Sequence, residues 1–430
     1  MKFSFKGAVK SVKTNYGGLP RSIYILFIAR IINRLGGFVY SFLALYLKTK
    51  LGMSEGDIAN YVLLNGAVSM LSPFIGGYVA DKKGRKIIFV SVQFLGSLFF
   101  VACGILTDTR PEIIPVLLII ASFLYNMVGP INNAMVADIT KNQDERRRSY
   151  SLIYLGINIG VAIGPILGGF LLANYVKWFF LGDAITTMIS VVLIALFVKE
   201  TMLSNEEMEE AEGGEKMESG FTAGIFIKKP VLLMYTMFAI FNSAVYAQMG
   251  FGLSLHMDHV FGGQYGAAYY GMLISFNAVV VLSLTILLTE LLKRFRPVYN
   301  VALASLLNTI GFGMIAFIGS RLPLYFMSVF IWTVAEIVMV TNSNVFIMSH
   351  TPVNYRGRFS AIIEFLMGAG FVVSPRIMSY MMVNFSYETA WKGIGAISIV
   401  AFLGFMATGY MDKRINGTAS MKGASTESSD

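Results

Sequence analysis

A chain of 430 residues, 55% hydrophobic and 14% charged with a mean hydropathy of +0.65, lies far from the roughly 25% charged residues of soluble domains. A soluble globular core is thereby excluded. The net charge of +9 reads as membrane topology and contact with anionic lipid, with no nucleic-acid partner expected. Cys103, the only cysteine, lies in an apolar run, so no intrachain disulfide forms.

Apolar runs of about twenty residues, the length that crosses a hydrocarbon slab of roughly 30 Å, recur from end to end without strict alternation, so the fold class is all-α and membrane-spanning. Spans are predicted near 22–47, 56–80, 86–107, 113–138, 150–174, 177–198, 231–256, 266–290, 298–318, 322–348, 359–383 and 389–411. The first follows Lys2, Lys6, Lys10, Lys13 and Arg21. It is too long for a secretory signal and lacks a small-residue cleavage site, so it is expected to remain as span 1. Lys82, Lys83, Arg85, Lys86, Lys141, Arg146, Arg147, Arg148, Lys228, Lys229, Lys293, Arg294, Arg296, Arg356 and Arg358 fall on one set of loops. The positive-inside rule then places both termini in the cytoplasm of a plasma or inner membrane.

The expected organisation is a cytoplasmic segment over 1–21, a six-helix bundle over 22–198, a cytoplasmic linker over 199–230, a second six-helix bundle over 231–411 and a disordered tail over 412–430. The linker carries Glu206, Glu207, Glu209, Glu210, Glu212, Glu215 and Glu218 among Gly and Ser, too few apolar groups to bury. An offset of 210 residues places Arg146 on Arg356, Arg148 on Arg358, Gly160 on Gly370, Pro165 on Pro375 and Asn132 on Asn342. Duplicated halves are a common transporter plan and point to alternating access.

Between spans 2 and 3 stands Gly76-Gly77-Tyr78-Val79-Ala80-Asp81-Lys82-Lys83-Gly84-Arg85-Lys86. Gly77 is expected to allow close helix approach, Gly84 a tight turn, Asp81 to accept from a facing helix N-terminus, and Arg85 to pair with Asp138 as an inner-gate latch. The stretch resembles the signature G-x-x-x-D-x-x-G-R-[KR] of the major facilitator superfamily, a resemblance that covers about residues 20–411. It implies two pseudo-symmetric bundles, twelve transmembrane helices in all. Span 5 carries Gly156, Gly160, Gly164-Pro165 and Gly168-Gly169, a face for close packing or a hinge. This pattern looks like the G-x-x-x-G-P-x-x-G-G element associated with exporters of that superfamily. Tyr125-Asn126-Met127-Val128, Asn133-Ala134-Met135 to Asp138, and Thr333 to Val338 resemble, patchily, proton-coupled multidrug antiporters of the LmrP type. Many drug antiporters carry an Arg within span 4, and this chain has none there.

An ionisable group near mid-bilayer costs at least about 2.5–3.5 kcal/mol on insertion scales, so each is a functional candidate. Glu336 lies mid-span in span 10 and falls on Asn126 in the repeat. Burial favours its neutral acid, which suits a proton carrier. Arg30 and Arg34 share one face of span 1 and seek anions. Glu364 in span 11 is a further candidate, while Arg376 and Lys392 either close an outer gate or snorkel. Asp183 in span 6 is left without an assigned role. His256 and His259 flank Asp258 and are expected to be solvated in a loop, with no metal role. Asn33, Tyr40, Tyr125, Asn126, Tyr154, Asn158, Asn242, Tyr246, Gln248 and Asn277 are candidates to line a cavity.

With no G-x-x-x-x-G-K-[ST] loop and no Ser/His/Asp constellation, neither an enzyme nor a cofactor is expected. The expected partners are protons, a small-molecule substrate and the bilayer, with the chain acting as a monomer. Proton-coupled efflux of amphiphilic or cationic compounds is the leading expectation, and proton-linked import of a sugar, peptide or organic anion the alternative.

Overall fold

The computed structural model describes residues 16–141, 143–201, 229–351 and 356–426; the linker acids from Glu206 to Glu218 and the lysines from Lys2 to Lys13 lie outside them. Every long element among these residues is an α-helix. They are α1 (Arg21–Gly36), α2 (Leu43–Thr49), α3 (Glu55–Lys83), α4 (Arg85–Leu106), α5 (Ile114–Asn126), α6 (Val128–Ile139), α7 (Gln143–Asn174) and α8 (Val176–Phe197). The second half continues with α9 (Pro230–Tyr246), α10 (Gly252–Leu292), α11 (Pro297–Gly313), α12 (Ile315–Ile318), α13 (Leu322–His350), α14 (Arg356–Asn384) and α15 (Tyr387–Thr426).

Among the described residues, eleven helical stretches are long and apolar enough to cross a membrane. The predicted span missing from them is the first, which is divided: α1 stops at Gly36, Gly37 follows with φ −71° and ψ 44°, and α2 starts only at Leu43. Together α1 and α2 make the twelfth crossing. Span 7 is interrupted at the equivalent place, where α9 ends at Tyr246 and a short 3₁₀ turn covers Ala247–Met249. A kink at Gly262, with φ 77°, divides α10 into the end of span 7 and all of span 8. Several helices open on proline, whose missing N–H costs nothing in a first turn: Pro230, Pro297 and Pro323 begin α9, α11 and α13 in this way.

The sequence repeat is also a packing repeat. In the first half α1 packs on α7 and α8, and α4 on α5 and α8; in the second, α9 packs on α14 and α15, and α11 on α13 and α15. Helices α7 and α14 end on Asn174 and Asn384, 210 residues apart, and contain Pro165 and Pro375 respectively. A Cβ on Gly160 would stand 2.9 Å from the carbonyl oxygen of Ile31, and one on Gly370 2.6 Å from that of Ile240. Both glycines therefore let span 5 or 11 lie directly on the backbone of span 1 or 7.

The described residues form two compact units, one within Met1–Met53, Leu64–Gly214 and Met257–Val279, the other within Ser54–Leu63, Glu215–His256 and Val280–Asp430. The first has a core of Ile23, Phe89, Ile131, Met135 and Ile153 with their neighbours. In the second, Leu232, Tyr235, Val301, Phe346 and Phe405 form the corresponding core. Helix α15 runs on to Thr426, and within it Asp412 Oδ1 lies 2.8 Å from His350 Nε2.

Candidate functional site

The G-x-x-x-D-x-x-G-R-K stretch forms the corner between α3 and α4. Gly84 takes φ +105° at the N-terminus of α4, a conformation that side-chain-bearing residues rarely adopt. Beyond the turn, Arg85 Nη1 lies 2.6 Å from Asp138 Oδ2 at the end of α6, with the two side chains 20% and 7% exposed. The side chain of Asp81 lies outside the described residues.

Glu200, to which the sequence drew no attention, completes the corner. Its Oε1 accepts from the backbone N–H groups of Arg85 at 2.9 Å and Lys86 at 3.1 Å, and its Oε2 from that of Ile87 at 3.4 Å. A carboxylate on three orphan donors of a helix start is favoured by both hydrogen bonding and the helix dipole. Glu200 follows α8 and is more than a hundred residues from α4 in sequence, so no local pattern announces the contact. A Cβ on Gly84 would also meet Glu200 Oε2 at 2.7 Å.

The close-approach glycine of the motif is Gly76, a correction to the expectation for Gly77. A Cβ on Gly76 would lie 2.6 Å from Met127 Cβ, whereas nothing lies within 4 Å of the same point on Gly77. Met127 is the residue at which span 4 breaks between α5 and α6, and α3 turns position 76 towards that break.

The small-residue face of α7 covers α1 and the turn after it. Cβ atoms at Gly156, Gly160, Gly164 and Gly168 would strike, in order, Phe27, Arg34, the Arg34 and Leu35 carbonyls, and Phe38. Pro165 sits inside α7, and its carbonyl oxygen occupies the place a side chain would take at Gly271. The packing uses the whole stripe.

Polar candidates of the first unit divide into two groups. Asn33 donates through Nδ2 to Gln93 Oε1 at 3.3 Å and Thr187 Oγ1 at 3.2 Å. Asp183, 4% exposed, accepts from Val39 N–H at 3.4 Å and Thr187 Oγ1 at 3.5 Å. These residues come together within one bundle. Asn126 is exposed and returns its amide to the Ser122 carbonyl, while Asn158 is buried and bonds Tyr154 O of its own helix. The Tyr154 ring is exposed. Arg34 is exposed and Arg30 half-buried, with Nε of Arg30 buried and lacking a hydrogen-bond partner among the described residues.

In the second unit Glu336 is half-buried near the middle of α13, and Glu364 is exposed on α14. Asn242 Oδ1 accepts from Asn308 Nδ2 at 3.1 Å, a buried amide pair. Gln248 is buried and donates to Ser374, and the Tyr246 ring stands edge-on to Trp332. Arg376 Nη1 approaches Gly56, Tyr387 donates to Glu55 Oε1 at 3.2 Å, and Lys392 lies over the Phe317 ring. His256 corrects the loop expectation. It is helical and 5% exposed, its Nε2 2.9 Å from Tyr325 Oη and its ring beside Tyr387 and Trp391. Aromatic neighbours from distant spans make this histidine a core residue.

The chain matches the profile of the Major Facilitator Superfamily over residues 26–375. It is 26% identical over 387 residues to the Na(+), Li(+), K(+)/H(+) antiporter of Planococcus maritimus, covering 84% of this chain and 88% of the relative. Over 199 residues it is 28% identical to the quinolone resistance protein NorA of Staphylococcus aureus, covering 44% of this chain and 50% of that one. A solved POT family transporter in complex with 5-aminolevulinic acid superposes with a TM-score of 0.73 at 14% identity over 91% of this chain and 96% of the other, a likeness of fold alone. The profile spans both halves of the repeat, and the chain therefore belongs to the Major Facilitator Superfamily of multi-pass membrane transporters.

Proposed function

We propose that this transporter is a secondary antiporter that exports amphiphilic or cationic small molecules in exchange for protons by alternating access. The observation that carries the reading is Glu336, a carboxyl half-buried in the middle of an apolar span, where an ionisable group is costly unless it is used. Similarity along most of the chain to a cation/proton antiporter, and over part of it to a quinolone resistance protein, supports the same chemistry. Arg85 and Asp138 act as a latch at the inner gate, with both termini in the cytoplasm, and Glu364 is a secondary carboxyl of the transport route.

A second reading, proton-linked import of an organic anion, draws on Arg30 and Arg34, two cations on one face of α1. The test of both is proton movement in proteoliposomes on addition of lipophilic cations or small anionic nutrients. Antiport predicts cation-evoked proton flux that Glu336→Gln abolishes. Flux evoked by nutrients alone would replace the reading with the second.

A further inference from the structure

His256 is a buried titratable ring to which the antiport reading assigns no part. It lies where span 7 reaches the outer side, 5% exposed, its ring centroid 5.8 Å from that of Tyr325, 5.6 Å from Tyr387 and 5.8 Å from Trp391. Tyr325 Oη donates to Gly319 O at 2.7 Å, so the same oxygen accepts from His256 Nε2 at 2.9 Å. The proton of the neutral ring is thereby fixed on Nε2. Nδ1, the nitrogen that remains to take a second proton, is buried.

The ring is tied to the end of another span. Tyr387, the first residue of α15, donates to Glu55 Oε1 at 3.2 Å, and Glu55 opens α3. Arg376 Nη1 stands 3.7 Å from the point a Cβ would take on Gly56, in the same turn of α3. Residues 54–63 accordingly belong to the compact unit of the second half, although they come from the first half of the sequence. His256 packs behind the tyrosine that holds the outer end of span 2 there.

The fold asks for a ring at this place and not for a histidine. The offset of 210 puts Tyr46 at the position of His256. Tyr46 is 2% exposed, edge-on to Phe180 and stacked on Phe179, so the first copy of the repeat fills the position with an aromatic side chain of ordinary pKa near 10. Histidine is the side chain whose ordinary titration falls between about pH 5 and 8. The charged and titratable groups around it are Tyr325 on α13, Tyr387 and Lys392 on α15, Arg376 on α14, Glu55 on α3, and Asp258 and His259 two and three residues further along α10. A cation enclosed by three rings gives up most of its hydration. A second proton therefore favours the arrangement in which the rings stand apart and water reaches Nδ1.

We propose that His256 is a proton-binding site facing the outer side that governs closure of the outer end of span 2. A proton from outside water binds Nδ1 when the rings part, and the resulting cation holds them apart until the proton leaves by the same route. No proton crosses the membrane at this site. The inference rests on alternating access with this end outside, and holds for either direction of transport.

The experiment is pulsed electron paramagnetic resonance on the full chain in lipid nanodiscs, with spin labels at Thr109→Cys and Asn384→Cys in a Cys103→Ser background. Both positions are exposed near the outer ends of spans 3 and 11. Between about pH 8 and about pH 5.5, across the histidine range, the population at the longer separation should rise by about threefold or more. The rise should be lost in His256→Phe, which keeps a ring, and in His256→Gln, which keeps a donor for Tyr325, and be kept in Glu336→Gln. Tyr387→Phe, which releases Glu55, should raise the longer population already at about pH 8. A rise that survives in both His256 variants or is lost in Glu336→Gln overturns the proposal, as does Tyr387→Phe matching the parent protein. A parent protein whose labels respond to substrate but not to pH overturns it as well and leaves His256 a core ring. Labels that keep one separation at every pH and with every substrate overturn alternating access itself, and the proposal with it.

Discussion

Arg85 Nη1 and Asp138 Oδ2 lie 2.6 Å apart at the corner where α3 turns into α4, joining the loop after span 2 to the end of span 4. Asp138 is almost enclosed and Arg85 partly so. Removing either partner strands a poorly hydrated charge, which is more costly than losing an exposed pair. Arg85→Ala and Asp138→Asn should each slow transport. Because they break one contact, the double variant should fall short of the sum by about 0.5–3 kcal/mol in a double-mutant cycle on transport rates. Additive effects would deny the pair a common role.

Glu200 should matter through the backbone it caps. Glu200→Ala removes the acceptor for three N–H groups at the start of α4 and is expected to cost about 0.5–2 kcal/mol, the range for loss of an N-cap. Thermal unfolding in detergent should show a lowered midpoint, with Glu200→Gln intermediate because it keeps an acceptor oxygen without the charge.

Gly76 and Gly77 give opposite predictions from adjacent positions. Gly76→Ala places a methyl 2.6 Å from Met127 Cβ and 2.8 Å from its Cα, so helix α3 must move off the α5–α6 break, at a cost of about 1–3 kcal/mol for overpacking. Gly77→Ala adds a methyl to open space and should transport like the wild type. A ligand-free melting curve for each variant, beside its transport rate, checks both.

His350 closes the end of α13 onto α15. Its Nε2 meets Asp412 Oδ1 at 2.8 Å and its Nδ1 meets Phe346 O at 2.9 Å. Asp412→Asn and His350→Ala disturb the same contact and should lower the melting temperature by similar amounts, with no further loss in the double variant.

Much of this architecture could be read from the sequence because it is written in local or periodic terms. Apolar run length located the spans, and the shared register of Gly160 with Gly370 and Pro165 with Pro375 anticipated a repeat that the packing also displays. Arg85 and Asp138 were paired by charge and by their position at span ends. The interruption of span 1 was less legible, because Gly36-Gly37 in an apolar run reads equally as a packing face. Glu200, Asp183 and His256 were missed or misread for one physical reason. Each acquires its meaning from a partner far away in sequence: α4 for Glu200, Val39 for Asp183, and Tyr325 and Trp391 for His256.

The central claim is antiport against protons, and the most direct measurement is accumulation of a labelled lipophilic cation in proteoliposomes under imposed pH gradients of opposite sign. The account predicts that the cation moves towards the acidic compartment, opposite to the proton, and that reversing the gradient reverses the direction of accumulation. Accumulation of the same size and direction under both gradients, or under none, would contradict it.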